Sequence, residues 1–379
     1  MKLFECQSCG QLVYFENTRC ERCGMALGYL PDPGTLTALE PLDDATWRAL
    51  VPAPGPLRYC ANAAHAACNW LVPADGPDTF CPACRHNHTV PDLAVPENLA
   101  RWQKLEVAKR RLIYTLIALR LPRATRAEDP EHGLAFDFLA DVETETHAKR
   151  VMTGHASGLI TINIAEADDA ERERIRTEMG EPFRTLLGHF RHEIGHWYWD
   201  MLVADQPVID EFRAIFGDER ADYGEALAAN YRDGPPAGWQ ENFVSTYAAS
   251  HPWEDFAETW AHYLHIVDAL ETAAAFGLRI RPVAGDDLSL ATRIDFDPHH
   301  AATIERLIEA WLPLAFAVNS LNRSLGQPDL YPFVLSPQVI AKLGFVHGLV
   351  HPEARMPAAM PAPMPGPVPD PAPEPPPAT

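Results

Sequence analysis

Hydrophobic and polar positions divide the chain into two regions of different pattern. Up to about residue 93 the apolar segments are short, as in residues 12–15 and 70–72, and none keeps a helical period. From Pro96 onward, apolar residues recur every three or four positions among Arg and Lys and stop before Pro122, which predicts a long helix. The sequence therefore predicts hairpins and loops first, and then a domain that opens with a helix.

The second region predicts further helices after a small sheet. Residues 134–139 and 159–164 have strand-like patterns, the second one alternating behind Gly158, and they predict a small antiparallel sheet. Helical periods then cover residues 181–203, 208–230, 252–276 and 300–325. The predicted fold class is α+β, with a mainly helical second domain.

The first predicted helix has a basic side that includes Lys109, Arg110 and Arg111. Such a side can be a docking surface, but charged residues on an amphipathic helix more commonly contact only solvent. We therefore predict a solvated helix face.

The composition of the chain also predicts where its domains begin and end. The chain has 379 residues and 36 prolines, and many of the prolines follow residue 351, among Ala and Met. Such a segment cannot build a hydrophobic core and predicts a disordered, partly polyproline tail. We predict three parts: a Cys-rich module at residues 1–93, a larger domain at residues 94–351, and the tail at residues 352–379.

The net charge and the length of the apolar runs disfavour some classes of binding partner and some cellular compartments. The formal charge of −21 disfavours binding to nucleic acid or to anionic membranes, because both repel an acidic surface. Residues 1–6 lead directly into a cysteine motif, without an apolar stretch of signal-peptide length. The most apolar run, residues 112–121, is too short for the roughly 20 residues of a membrane span. We predict a cytoplasmic protein without a membrane segment.

All eight cysteines lie before residue 85, and six of them form Cys-x-x-Cys pairs. In a reducing compartment this spacing favours metal binding over disulfide bonds. The first two pairs, Cys6 with Cys9 and Cys20 with Cys23, provide four thiolates, which predicts a tetrahedral structural zinc site.

The other four cysteines predict a second structural zinc site with one irregular half. Cys81 and Cys84 form a pair, whereas Cys60 and Cys68 are further apart, and His65 could replace Cys68. The alternatives are a redox pair or buried free cysteines, but redox pairs rarely occur twice. Basic residues around the first site are balanced by acidic ones, which favours a structural or protein-binding role over nucleic-acid binding.

His192, Glu193 and His196 form a His-Glu-x-x-His motif on the helix predicted for residues 181–203. Residues four apart share one side of a helix, so both imidazoles can bind one metal ion while Glu193 lies beside a bound water. The bare motif also arises by chance, but apolar residues surround it here, and burying two His and a Glu without a shared ligand is costly. The motif therefore predicts catalytic zinc with Glu193 as the general base.

Catalytic zinc needs a third protein ligand and one open position. Glu254 and Glu258, one helical turn apart, suit a metal ligand and a group that orients a ligating His. An acidic first helical turn is the simpler alternative for Glu254. The competing carboxylates are Asp200, Glu219 and Asp222.

The histidine motif followed by Tyr247, Glu254 and Glu258 in this order resembles the gluzincin metallopeptidases, such as the catalytic domain of anthrax lethal factor. The resemblance implies that Glu254 is the third zinc ligand and that Glu258 supports a ligating histidine. It also implies that Tyr247 stabilises the oxyanion of the reaction.

Residues 1 to about 350 also resemble a bacterial family described as zinc-binding metallopeptidases with an N-terminal zinc ribbon. The motifs that carry this resemblance are residues 58–62, 192–200 and 251–265. It implies a zinc-ribbon module followed by a zincin-like metallopeptidase domain, with one catalytic and two structural Zn²⁺ ions.

The residues and the resemblance together favour hydrolysis of peptide bonds in a protein or peptide substrate. The strand predicted at residues 158–164 is a candidate edge along which an extended substrate could pair, and a purely structural strand is the alternative. The alternative is a zinc-ribbon adaptor whose peptidase-like domain binds polypeptides without cutting them. An adaptor has no need of Glu193, which favours the enzyme. The substrate sequence and the oligomeric state stay open.

Overall fold

The computed structural model describes residues 2–143, 148–149, 151–179, 185–284 and 288–355. The predicted tail, residues 352–379, lies outside the described residues apart from one helical turn, Pro352–Arg355. Within the described part of the chain, each helix is too short or too polar to cross a bilayer.

A Cys-rich module of short strands forms the N-terminal region. Its strands are β1 (Phe4–Glu5), β2 (Leu12–Val13), β3 (Ala26–Leu30), β4 (Thr35–Pro41), β5 (Trp47–Ala49), β6 (Leu57–Tyr59) and β7 (Leu71–Pro73). β1 and β2 form a hairpin, and β3 to β7 form a five-stranded antiparallel sheet in chain order. Each of the first two cysteine pairs lies in a turn closed by the backbone, from Cys6 N to Gln11 O at 2.8 Å and from Cys20 N to Met25 O at 2.9 Å.

The second region is mainly helical, which confirms the predicted α+β class. Its strands are β8 (Asn87–Thr89), β9 (Ala135–Leu139), β10 (Val142–Glu143), β11 (Ala148–Lys149), β12 (Gly154–Ala156), β13 (Leu159–Asn163), β14 (Arg279–Ile280) and β15 (Thr292–Arg293). Its helices are α1 (Pro96–Ala118), α2 (Asp169–Met179), α3 (Leu186–Leu202), α4 (Ile209–Phe216), α5 (Tyr223–Asp233), α6 (Pro252–Ala275), α7 (Ile304–Ser324), α8 (Pro337–Val350) and α9 (Pro352–Arg355).

Four strands form one sheet in the order β12-β13-β9-β8. The prediction that this sheet is antiparallel was wrong for its two longest strands, because β13 pairs with β9 in parallel, with Leu159 opposite Ala135. The chain first returns along β12, which pairs with β13 in an antiparallel hairpin. The sheet is therefore mixed, and β8 extends it from the side of the Cys-rich module.

The mixed sheet and α6 hold α3 between them. Phe136 and Phe138 of β9 contact Phe190 of α3, with ring centroids 5.6 and 6.2 Å apart. On its other side α3 approaches α6 at Gly195, where a Cβ atom would lie only 2.9 Å from the Ala257 Cα. Glycine therefore lets the two helices pack closely at the level of the histidine motif.

The basic side of α1 is largely buried, so the prediction of a solvated face was wrong. Lys109 is fully buried and forms an ion pair of 2.6 Å with Glu106. Arg110 is also buried and donates a hydrogen bond of 2.6 Å to Asn69 Oδ1 in the Cys-rich module. Of these three residues, only Arg111 keeps substantial exposure. The charges are covered because α1 lies between the two regions, which a helical period alone does not indicate.

Two helical segments differ from the pattern. Residues 208–230 form two helices, α4 and α5, rather than one, and α4 ends at Gly217, whose φ of 104° is readily adopted only by glycine. Helix α8 was not predicted; Ser336 caps it by accepting a hydrogen bond from the Val339 amide.

Candidate metal centres and active site

The His-Glu-x-x-His motif lies in the middle of α3. Thr185 caps this helix, since its hydroxyl accepts a hydrogen bond of 2.9 Å from the Gly188 amide. His192 and His196 lie one turn apart, and they are buried together with Glu193. Both imidazoles face the first turns of α6.

Glu254, in the first turn of α6, completes a cluster of three donor atoms. His192 Nε2 lies 3.0 Å and His196 Nε2 lies 3.5 Å from Glu254 Oε2, and the two Nε2 atoms are 3.2 Å apart. Tetrahedral zinc with bonds of about 2.0–2.2 Å separates its ligand atoms by about 3.3–3.6 Å. Glu254 Oε2 is buried and has no hydrogen-bond partner among the described residues. These residues fit one zinc ion held by three protein ligands.

Glu258, one turn after Glu254, orients His192. Its Oε1 accepts a hydrogen bond of 2.7 Å from His192 Nδ1, and its Oε2 accepts one of 2.7 Å from the Ser245 hydroxyl. A donor at Nδ1 leaves the lone pair on Nε2, where a metal ligand needs it. Burial alone would lower the pKa of His192, but the Glu254 and Glu258 carboxylates outweigh it and raise that pKa. The two carboxylates therefore favour a positive charge next to them. Ser245 was not among the predicted residues.

Two tyrosines flank the cluster. Tyr223, the first residue of α5, donates a hydrogen bond of 2.7 Å to Glu254 Oε1, so that Oε2 faces the histidines. The Tyr247 ring lies 5.8 Å from the His192 ring, centroid to centroid. Burial, and then the Glu254 carboxylate, raise the pKa of Tyr247 above its ordinary value. The family resemblance implied a role for Tyr247 but not for Tyr223, because no local spacing joins Tyr223 to α6.

The three competing carboxylates have other contacts. Asp200 lies 3.9 Å from His155 Nδ1, and Glu219 pairs with Arg213 at 2.5 Å. Asp222 accepts a backbone hydrogen bond at the start of α5. Among the described residues, only Glu254 is grouped with the two histidines.

Glu193 lies beside the cluster and contacts His189, one turn earlier in α3. His189 Nε2 is 3.2 Å from Glu193 Oε1, and His189 Nδ1 is 2.5 Å from Glu166 Oε2. Burial alone would raise the pKa of Glu193, but the hydrogen bond and charge of His189 outweigh it and lower that pKa. Sequence reasoning missed His189, although its spacing of four from Glu193 on a predicted helix was a usable signal.

The strand beside the site is β12, not the predicted edge. Residues 159–163 form β13, which lies between β12 and β9, so the prediction of a free edge there was wrong. Within the described sheet, β12 is the outer strand on this side. His155 of β12 has a side chain only 1% exposed, and its ring lies 6.4 Å from that of His196. The outer edge of the sheet therefore runs next to the candidate metal ligands.

The eight cysteines form two groups of four. One group contains Cys6, Cys9, Cys20 and Cys23, and the other contains Cys60, Cys68, Cys81 and Cys84. Sulfur–sulfur distances are 3.6 and 3.7 Å in the first group and 3.7 Å in the second. Zinc–sulfur bonds of about 2.3 Å imply separations of about 3.8 Å, whereas a disulfide needs about 2.05 Å. Both groups fit structural zinc. His65, the alternative ligand, lies instead against Trp102.

A further buried cluster contains Asp268, Glu271 and His299. Asp268 pairs with Arg191 of α3 and accepts a hydrogen bond of 2.6 Å from the Thr115 hydroxyl of α1. Because Arg191 brings a positive charge to the carboxylates, we interpret this cluster as an ion-pair network that joins α1, α3 and α6.

Comparison with known proteins finds a family match for each of two parts of the chain. Residues 98–349 match a family described as "Putative zinc-binding metallo-peptidase", and residues 3–95 match a zinc-ribbon domain. Uncharacterised proteins of Mycobacterium bovis and Mycobacterium tuberculosis are 44% identical to the chain over 351 residues, which is 92% of this chain and 95% of theirs. No solved structure matches the chain.

Proposed function

The chain belongs to the "Putative zinc-binding metallo-peptidase" family, and from this premise we propose that it is a gluzincin-type peptidase with one catalytic and two structural zinc ions. The observation that carries the proposal is the convergence of His192, His196 and Glu254 donor atoms within 3.5 Å. Glu193 lies beside them, where a general base is needed. The proposed location is the cytoplasm.

The residues of the site divide the work of hydrolysis. When bound, zinc acts as a Lewis acid and lowers the pKa of a water ligand towards neutral. Glu193 would take a proton from the water that attacks the peptide carbonyl and would then deliver it to the leaving amine. Glu258 keeps the His192 lone pair on Nε2, and Tyr223 keeps Glu254 Oε2 turned to the histidines.

Tyr247 is the proposed donor to the developing oxyanion. A donor must stay protonated at the working pH, and the raised pKa of Tyr247 favours this. Its ring lies beside His192, so it is close to the position at which the carbonyl oxygen would become charged.

Tyr247→Phe is expected to lower kcat by about 10² to 10³ while zinc content stays at the wild-type level. The same change at Tyr223 provides the matched control, because that hydroxyl contacts a metal ligand. Tyr223→Phe is expected to weaken zinc retention by about 10- to 100-fold. Steady-state kinetics and zinc titration on both variants measure the difference. Equal effects of the two changes would contradict the assignment.

The proposed substrate is an extended polypeptide that pairs with the outer edge of β12. Main-chain hydrogen bonds to a sheet edge do not depend on side-chain sequence, so this mode fits protein and peptide substrates in general. The proposal is supported by the His155 ring, which lies 6.4 Å from that of His196, so a peptide on this edge would lie next to the proposed metal ligands.

We expect three zinc ions per purified chain, of which a chelator such as EDTA removes one first, together with peptidase activity. The three-ligand site exchanges most readily, because four-thiolate sites have no open position. Of the two thiolate sites, the first should release zinc earlier, since Cys23 is exposed whereas Cys60, Cys68, Cys81 and Cys84 are all buried.

Elemental analysis and a chromogenic zinc assay during chelation measure this order. One zinc per chain would contradict the proposed set of sites. Activity that persists after the first ion has left would contradict its catalytic role. Three zinc ions without cleavage of any peptide in a broad library would favour the adaptor alternative.

A further inference from the structure

A chain of polar side chains continues from Glu193 away from the metal ligands. Glu193 Oε1 is followed by His189 Nε2 at 3.2 Å, and His189 Nδ1 by Glu166 Oε2 at 2.5 Å. The Thr153 hydroxyl then donates a hydrogen bond of 2.5 Å to Glu166 Oε1. The side chains of His189 and Glu166 are only 13% and 7% exposed, so water offers little competition for these contacts.

The partners of His189 determine which atoms carry hydrogen. Each ring nitrogen faces a carboxylate oxygen, and an ionised carboxylate can only accept. Both contacts are hydrogen bonds at the same time only when His189 carries a hydrogen on both nitrogens. The arrangement is then a cation between two anions, in which each hydrogen bond is strengthened by charge.

Glu166 is held in place from the opposite side of the site. It lies in the turn Ile164–Ala167, directly after β13, and Arg172 of α2 donates a hydrogen bond of 2.8 Å to its backbone carbonyl. Thr153 precedes β12 and also accepts a hydrogen bond from the Asn163 amide. The sheet that carries the proposed substrate edge therefore also fixes Glu166.

We propose that His189, held through Nδ1 by Glu166, is a positioning residue that binds Glu193 Oε1 and directs Glu193 Oε2 to the reacting water. The inference rests on the proposed function, because it takes Glu193 as the general base. A carboxylate on a free side chain rotates between several orientations. Fixing one oxygen keeps the other aimed, and misplacement of a catalytic group by about 1 Å can cost about 10²-fold in rate.

The protonation behaviour of His189 supports this geometry. The charged groups that face it are Glu193 on its own helix and Glu166 from the sheet side, with Arg172 one contact further away. Burial opposes a charge on His189, but Glu166 and Glu193 outweigh it and raise the pKa of His189 to about 9.

The test compares His189→Leu, His189→Gln and Glu166→Gln in the full-length zinc-loaded protein. His189→Leu is expected to lower kcat by about 10- to 100-fold, with KM within about twofold and zinc content unchanged. Gln keeps a donor near Nε2, so His189→Gln should recover part of the loss. The kcat of Glu166→Gln should lie between those of His189→Leu and His189→Gln. His300→Gln, which alters an exposed His–Asp pair at 3.0 Å, is the matched control and should keep wild-type kcat.

A spectroscopic measurement tests the same inference without turnover. In ¹⁵N-histidine NMR spectra of the wild type at pH 8, the signals that disappear in His189→Gln should be those of an imidazolium with both nitrogens protonated. Glu166→Gln should shift these signals towards neutral imidazole. A neutral His189 at pH 8 in the wild type would overturn the inference, and so would a wild-type kcat in His189→Leu.

The two failures can be distinguished. If the wild type cuts no peptide, the proposed function fails, and the NMR result alone decides whether His189 bridges Glu166 and Glu193. If His189→Leu does not fold, His189→Gln and Glu166→Gln still give kcat, KM and zinc content. Loss of zinc in both of these variants would overturn the inference, because it would make His189 a support of the metal cluster instead.

Discussion

Replacing Glu193 with Gln is expected to keep all bound zinc and to lower kcat by about 10² to 10⁴. The amide has nearly the size of the carboxylate but cannot take a proton from the attacking water. His192, His196 and Glu254 make their mutual contacts without Glu193, so zinc binding should not change. Elemental analysis and peptide hydrolysis by the same preparation measure both halves of the prediction.

Glu131→Gln is the matched control for this change. Its side chain is 87% exposed to solvent. Removing its charge should therefore leave the rate at the wild-type value. Wild-type turnover in Glu193→Gln would show that another group is the base. If neither the wild type nor Glu193→Gln cuts a peptide library, Glu193→Gln is a suitable bait in a pull-down. It lacks the proposed base, so it would hold a bound polypeptide without cutting it.

The local parts of the site could be predicted from the sequence. A spacing of four on a helix places His192 and His196 on one side, whatever the rest of the fold does. Glu254 and Glu258 are also one turn apart, and the structure brings Glu254 to the two histidines and Glu258 to His192. The cysteine spacing similarly indicated the two four-cysteine groups. The catalytic roles of these residues stay predictions.

The parts that depend on distant elements could not be predicted in this way. The pattern of residues 159–164 shows a strand but does not show which strand lies on either side of it. The structure places β12 outside it and moves the available edge to Gly154–Ala156. Tyr223 reaches Glu254 only because the start of α5 lies beside the first turn of α6. A single sequence carries no local signal for either contact.

Charged residues show the same limit. Lys109 and Arg110 have the spacing of a polar helix face, yet both are buried. Arg110 binds Asn69 of the Cys-rich module, and Lys109 lies against Phe136 and Phe138 of the mixed sheet. The fully buried ion pair of Lys109 with Glu106 is a tertiary feature. Burial of charge is strongly unfavourable without a partner, but the partner alone, three residues away in the sequence, did not indicate burial.

Replacing Glu254 with Ala is expected to remove the labile zinc and, with it, all measurable hydrolysis. Two histidines would remain, and a zinc site with two protein ligands is weaker than one with three. The loss of zinc affinity should exceed 10- to 100-fold, which is typical when the lost group contacts a metal ligand rather than the metal. Glu258, which binds His192 Nδ1, is such a group. Zinc titration of Glu254→Ala and of the same change at Glu258 measures this order of affinities.

Controls for Glu254→Ala come from the carboxylates that compete with it. Glu219→Ala and Asp222→Ala should each keep three zinc ions, because Glu219 pairs with Arg213 and Asp222 caps α5. A folding defect is separated from a binding defect by melting after EDTA has removed the labile ion: added zinc should then raise the melting temperature of the wild type, Glu219→Ala and Asp222→Ala by mass action, but not that of Glu254→Ala. Full zinc occupancy in Glu254→Ala, combined with zinc loss in Glu219→Ala or Asp222→Ala, would move the third ligand to the segment around α5 and end the gluzincin assignment.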